Sequence, residues 1–187
     1  VTGLSLGGGD ETNYSLTQPT LNASITAKPI TVTPNVGQSK VYGAVDPTIT
    51  YTNTALIGGD VFTGALSRAV GGNVGTYAIT QGTLALSANY AITLAPETFE
   101  ITAKPITVTA SSTQSKVYSN NSATDPVFDY SVSPALVGVD TFTGTLSRVA
   151  GENVGAYAIA TGTLSAGTNY AMTFNSNNFT IIKATPV

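Results

Sequence analysis

The residues best equipped for chemistry recur in pairs: Asp60 with Arg68, and again Asp140 with Arg148. A carboxylate and a guanidinium on neighbouring strands can hold a polar ligand, or they can close a turn through a bidentate ion pair. Each copy of a repeat must solve the same folding problem, so the structural reading is preferred. Lys40 and Lys116 offer a second chemistry. A buried lysine beside an asparagine and a carboxylate can form an isopeptide crosslink, with Asn73 or Asn153 as partner here. A lysine stem lying over the adjacent Tyr42 or Tyr118 is the plainer reading.

Tyr42, Tyr51, Tyr77 and Tyr90, with Tyr118, Tyr130, Tyr157 and Tyr170, are aromatic enough to form a sugar-stacking platform. Tyr42 and Tyr118 are the weak ligand candidates. The rings fall at matched positions and the chain has no Trp, so packing in module cores with hydrogen-bonded hydroxyls is expected. Asp46, Asp60 and Glu97 stand isolated and no D-x-D-x-D-G loop occurs, whereas a Ca²⁺ site needs converging oxygens. No cofactor is expected, with Ca²⁺ kept as a minor alternative. N-x-S/T sequons lie at Asn13, Asn22, Asn120 and Asn178, a number that chance explains in so Asn-, Ser- and Thr-rich a chain.

Several chemistries are excluded. The 187 residues contain no His and no Cys, which removes the commonest general base, thiolate catalysis, disulfides and cysteine-based zinc sites. No G-x-S-x-G elbow is present. The chain is read as no enzyme. Its formal charge is −3 and its seven basic residues are scattered, so nucleic acid and anionic membranes are not expected partners. No apolar run is long enough for a membrane helix, so direct insertion is not expected.

The elements that must position these residues follow from composition and repetition. Charged residues are 9% of the chain, against roughly 25% in a typical soluble domain, and Gly, Thr, Ser, Ala and Asn take their place. That mixture suits short strands and tight turns. The nonapeptide ITAKPITVT at 25–33 returns unchanged at 101–109, and QSKVY at 38–42 returns at 114–118. Asn73-Val74-Gly75 matches Asn153-Val154-Gly155, and Asn89-Tyr90 matches Asn169-Tyr170. The spacing between matches widens along the repeat, which fits a loop insertion in 119–124 and one further residue near Pro134. The expected division is residues 1–26 as the tail of a preceding repeat, 27–103 as module 1 and 104–187 as module 2. The chain thus reads as a stretch of a longer protein. Residues 1–26 should pair with an edge of module 1 or with another chain.

In module 1, strands are expected at 30–33, 48–52, 61–67, 76–80, 83–86, 90–94 and 98–102, from their Val, Ile, Thr and Tyr content and the punctuation between them. The fold class is all-β: two small tandem modules, β-grasp-like or alternatively Ig-like, in an elongated rod. Asn-x-Gly-x-Tyr at 73–77 and 153–157 is similar to the tyrosine corner of Ig-like sandwiches, making Tyr77 and Tyr157 structural residues. At the module boundary, 101–109 runs from a last strand straight into a first strand, interrupted only by Lys104-Pro105.

Lys40-Val41-Tyr42-Gly43 with Asp46-Pro47, Gly59-Asp60, Asn73 to Tyr77, Asn89-Tyr90 and the Ile-Thr-Ala-Lys exit resemble the tandem MBG and YDG repeats of large bacterial adhesins. These include filamentous-haemagglutinin-like and two-partner-secreted proteins. Ser119 departs from the pattern where Gly43 stands in module 1. The resemblance implies stacked β-rich modules without catalytic residues, in an extracellular, bacterial cell-surface setting. The function expected is a stalk that projects a distal binding domain in adhesion or biofilm formation. Its partners would be neighbouring repeats of the same chain. A glycan-, mucin- or exopolysaccharide-binding module and homophilic association between stalks are the alternatives.

Overall fold

The structure is a computed structural model that describes residues 3–185. It is all-β, with two tandem modules and no α-helix among the described residues. The first module contains β1 (Lys28–Pro34), β2 (Ser39–Val41), β3 (Tyr51–Asn53), β4 (Ser67–Arg68), β5 (Gly75–Thr80), β6 (Tyr90–Leu94) and β7 (Thr98–Thr102). The second contains β8 (Lys104–Ala110), β9 (Ser115–Val117), β10 (Tyr130–Ser133), β11 (Ser147–Arg148), β12 (Gly155–Ala160), β13 (Tyr170–Asn175) and β14 (Asn178–Ile182).

Each module folds two sheets around one core. In the first the strand orders are β3-β1-β6 and β2-β7-β5-β4, and the second repeats them as β10-β8-β13 and β9-β14-β12-β11. β1 runs parallel to β6 and β2 parallel to β7. Two stretches of chain, 28–41 and 90–102, therefore travel side by side in the same direction through both sheets. Parallel neighbours need a long crossover, which 42–89 supplies. The module is accordingly entered beside Tyr90, the register partner of Lys28, and left beside Tyr42, which donates its amide to Thr102 O at 2.8 Å.

Period-two alternation sets the strands. In β1, Ile30, Val32 and Pro34 are buried and the intervening threonines are exposed; in β8, Ile106, Val108 and Ala110 are buried and the threonines between them half-buried. Pro29 is tolerated for a positional reason. Lys28 donates its amide toward β6, to Asn89 O, so the next residue turns its imide to the other side, where β3 has already ended. Phe99 and Ile101 from β7 meet Ile30, Val32, Ile79, Leu66 and Leu84 in the first core. Phe179, Ile181, Val108, Ile159, Leu146 and Leu164 form the second.

Three expectations need correction. Segment 48–52 is strand only from Tyr51, because the Gln38 side chain clasps Thr50: Oε1 accepts the Thr50 amide at 2.6 Å and Nε2 donates to Thr50 O at 3.1 Å. Segments 61–67 and 83–86 reduce to the short β4 and a single bridge, Thr63 to Ala85, because the tight Gly64 turn folds onto Thr83. Residues 3–26 form no strand, only a 3₁₀ turn at Glu11–Asn13, so of the two pairings expected, with module 1 or with another chain, the ladder with module 1 is absent among the described residues. In a whole repeat, the strands they match pair with counterparts of β1, β2 and β5, and 1–26 holds none of these. Val1 and Thr2 lie outside the described residues.

Candidate functional site

Two polar constellations repeat in the modules, and neither is the Asp60–Arg68 pair expected from spacing. Arg68 sits on β4, with its guanidinium carbon 4.9 Å from the Tyr77 ring centre and 5.6 Å from that of Phe99. The following loop wraps around it: Nη1 donates to Ala69 O and Gly71 O, at 3.1 and 2.6 Å. Stacking over aromatic faces leaves the guanidinium edge free for a planar carboxylate. Asp46 takes it, through Nε at 2.8 Å and Nη2 at 3.2 Å, and also accepts from Lys40 Nζ at 2.5 Å. Hydrogen bonds from Arg68, then Lys40, hold the Asp46 carboxyl below its ordinary range.

The second module repeats this around Arg148, Asp125 and Lys116, and adds Glu152. Burial works against ionising Asp125, yet the bonds from Arg148 and Lys116 outweigh it and keep its carboxyl low. Arg148 is correspondingly raised, chiefly by Asp125. The correction is plain: Arg68 and Arg148 pair with Asp46 and Asp125, not with Asp60 and Asp140. Aromatic stacking aims each guanidinium at the turn after the lysine strand. The lysines bond to carboxylates of the same clusters and the Asn73 side chain accepts from Asn169 of the other module, so Lys40 and Asn73 are not placed as an isopeptide pair.

Asp60 and Asp140 belong to the second constellation. Tyr90 donates its hydroxyl to Asp60 Oδ2 at 2.6 Å, and its oxygen accepts the Ile57 amide at 3.0 Å. Tyr170 does the same with Asp140 and Val137, at 2.6 and 2.7 Å. Asp140 then accepts a second hydroxyl, from Tyr42 of module 1 at 2.9 Å, and the Tyr42 and Tyr170 rings meet edge to face with centres 5.5 Å apart. Beside them Asn169 bridges the modules, its Oδ1 accepting the Val74 amide at 2.9 Å and its Nδ2 donating to Asn73 Oδ1 at 3.0 Å. Among the described residues Asn89, the matching residue in module 1, offers only its backbone carbonyl, to Lys28.

These contacts tune the groups involved. Bonds from Tyr170 and Tyr42 lower the Asp140 carboxyl, while the bond to Asp140 raises the Tyr42 phenol and burial, then Asp140, raises that of Tyr170. Gly43 shapes the contact. Its φ is +81°, and a Cβ there would collide with the Val137 side chain of module 2.

Five further tyrosines pack as expected, and Tyr118 does not. Tyr51, Tyr77 and Tyr90 lie against the first core, and Tyr130 and Tyr157 against the second. Tyr77 donates to Asn73 O at 2.7 Å and Tyr157 to Asn153 O at 2.8 Å, a tyrosine-corner bond in each repeat. Tyr118, at 41%, is the most exposed of the eight residues considered for a platform. Spacing alone did not single out Asp46, Asp125, Glu152, Gln38 or Gln114 as members of these arrangements. Recurrence of Asp-Pro and of QSKVY was the available signal.

Parallel pairing of each module's first two strands with its last two, a matched pair of cores and a side-chain junction define a class: small all-β modules arrayed head to tail. Within it, the sequence profile of the MBG domain (YGX type) matches residues 30–100 and again 106–180, and the chain belongs to that family. No curated protein and no solved structure matches the chain. The Tyr42-Gly43-Ala44 triplet has the form of the family's name, and here it is the part of module 1 that meets module 2.

Proposed function

We propose that these repeats are structural spacers in the stalk of a secreted, cell-surface bacterial adhesin, carrying a distal binding domain away from the cell for adhesion or biofilm formation. The observation that carries this reading is the junction. Only Ala103 separates β7 from β8, Tyr42 bonds to Asp140 and Asn169 to Asn73 and Val74 across the boundary, and the Tyr42 and Tyr170 rings pack there. A short covalent link plus oriented hydrogen bonds restricts the angle between neighbours, as a spacer requires. The family, a non-enzymatic structural domain type associated with surface adhesin-like proteins, points the same way.

Module 1 carries the receiving half of the same junction. Asp60, bonded to Tyr90, keeps the acceptor position that Tyr42 fills on Asp140, and a groove of about 340 Å³ lies there between Ile25, Ile57, Asp60 and Asn89. A tyrosine from another repeat would complete it. The packed tyrosine rings weigh against a sugar-stacking platform.

Gly43→Val tests the reading. Its side chain would strain the backbone and strike Val137, opening the junction while both cores stay folded. Solution X-ray scattering on the whole chain should show a broader distribution of inter-module distances than in the unsubstituted protein. An unchanged profile would remove the restricted angle, and with it the spacer reading.

A further inference from the structure

The two modules serve as controls for each other at one position. In module 2 the Glu152 carboxylate lies between two cations, Oε2 accepting from Lys116 Nζ at 2.7 Å and Oε1 from Arg148 Nη2 at 2.5 Å. Module 1 keeps the lysine, the arginine and the aspartate in the same mutual contacts, but Gly72 stands where Glu152 does. Counting donors shows what is missing. Lys116 Nζ has three protein acceptors, Asp125, Glu152 and Asn121 O, whereas Lys40 Nζ has Asp46 and Ala44 O. Arg148 Nη2 reaches Asp125 and Glu152, whereas Arg68 Nη2 reaches Asp46 alone. Among the described residues, one N–H on each cation of module 1 lacks a protein acceptor. They correspond to the two that Glu152 takes in module 2.

Charge tells the same story. Two cations face two carboxylates in module 2 and one in module 1. The Lys40 and Arg68 side chains are 13% and 11% exposed, so water screens the surplus positive charge only partly. The place is open. Asp46 is 44% exposed against 17% for Asp125, and a groove of about 560 Å³ lined by Asp46, Leu66, Arg68, Gly71 and Gly72 lies alongside. A Cβ built on Gly72 meets nothing within 4 Å.

We propose that module 1 binds an aliphatic carboxylate, the side chain of a glutamate in an acidic partner polypeptide, in the seat that Glu152 fills in module 2. One ligand oxygen accepts from Lys40 Nζ and the other from Arg68 Nη2. The seat is self-satisfied in module 2 and open in module 1, so binding is confined to the first repeat. A glutamate side chain is the chosen ligand because it is the group seen to fit between these same cations. The proposal is independent of the spacer reading, which rests on the Tyr42–Asp140 junction and is tested there.

The experiment is a titration of the isotope-labelled whole chain with triglutamate peptide, followed by amide and arginine Nε–H resonances. Saturable shifts are expected at Arg68 and at residues 69–73, with Arg148 unmoved. Gly72→Glu, which supplies the carboxylate from within, should weaken binding by about tenfold or more. Glu152→Gly should create a matching response at Arg148. Shifts that persist in Gly72→Glu, equal shifts with sodium chloride or sodium glucuronate at the same ionic strength, or no saturable response at Arg68 would each overturn the proposal.

Discussion

Asp140 accepts two phenol hydroxyls, one from its own module and one from the module before it. Both bonds depend on protonation. The Asp140 carboxyl is lowered in the folded chain, so its contribution is complete above the ordinary aspartate value, about 4, and fades as the pH falls through the lowered one. The phenols of Tyr42 and Tyr170 are raised, so theirs is complete below the ordinary tyrosine value, about 10, and fades as the pH rises past the raised values. The junction should therefore hold across the neutral range and loosen at both extremes. Inter-module distances followed by fluorescence transfer across pH should show a plateau with two limbs, and Tyr42→Phe should weaken both. A plateau with no acid limb would mean that Asp140 contributes little to the junction.

Elements here are short, and side chains complete what the ladders leave open. Gln38 does this for the first module by binding both backbone groups of Thr50, and Gln114 repeats it on Asp129, accepting its amide at 2.6 Å and donating to its carbonyl at 3.1 Å. Each glutamine acts as a piece of strand where the chain has turned away from β1 or β8. Gln38→Ala should cost module 1 about 1–2 kcal/mol, since it leaves the Thr50 amide unpaired while the Thr50 carbonyl keeps its bond from the Asn35 amide. Amide hydrogen exchange should rise at Thr50 and the start of β3, with β10 unchanged. Equal protection before and after the substitution would show that water replaces the clasp without loss.

At the scale of the whole molecule, two cores joined by a polar junction make two folding units with limited coupling. Phe99 is fully buried in one core and Phe179 in the other. Phe99→Ala should destabilise module 1 by about 3–5 kcal/mol through lost burial and the cavity left behind. Calorimetry should then resolve two transitions, one moved down and one near its original temperature. A single transition shifted as a whole would mean that the junction couples the modules more tightly than its few bonds imply.

Much was legible in the residues alone. Exact repetition at 25–33 and 101–109 marks two equivalent modules, and β-branched alternation marks β1, β5, β6 and β7 with their boundaries nearly right. Such signals are local: a period-two pattern can bury only one face, whatever surrounds it. Partner choice is not local. Arg68 is close in sequence to Asp60, yet it binds Asp46, because the rings of Tyr77 and Phe99 orient its guanidinium toward that turn. Asp60 and Asp140 are freed for tyrosines by the parallel pairing of β1 with β6 and of β8 with β13, which brings each module's start beside Tyr90 or Tyr170. The all-β class, the repeat and the tyrosine corner were therefore set by neighbours along the chain. Which acid meets which base, and which face of one repeat meets the next, was decided only when distant strands came into register.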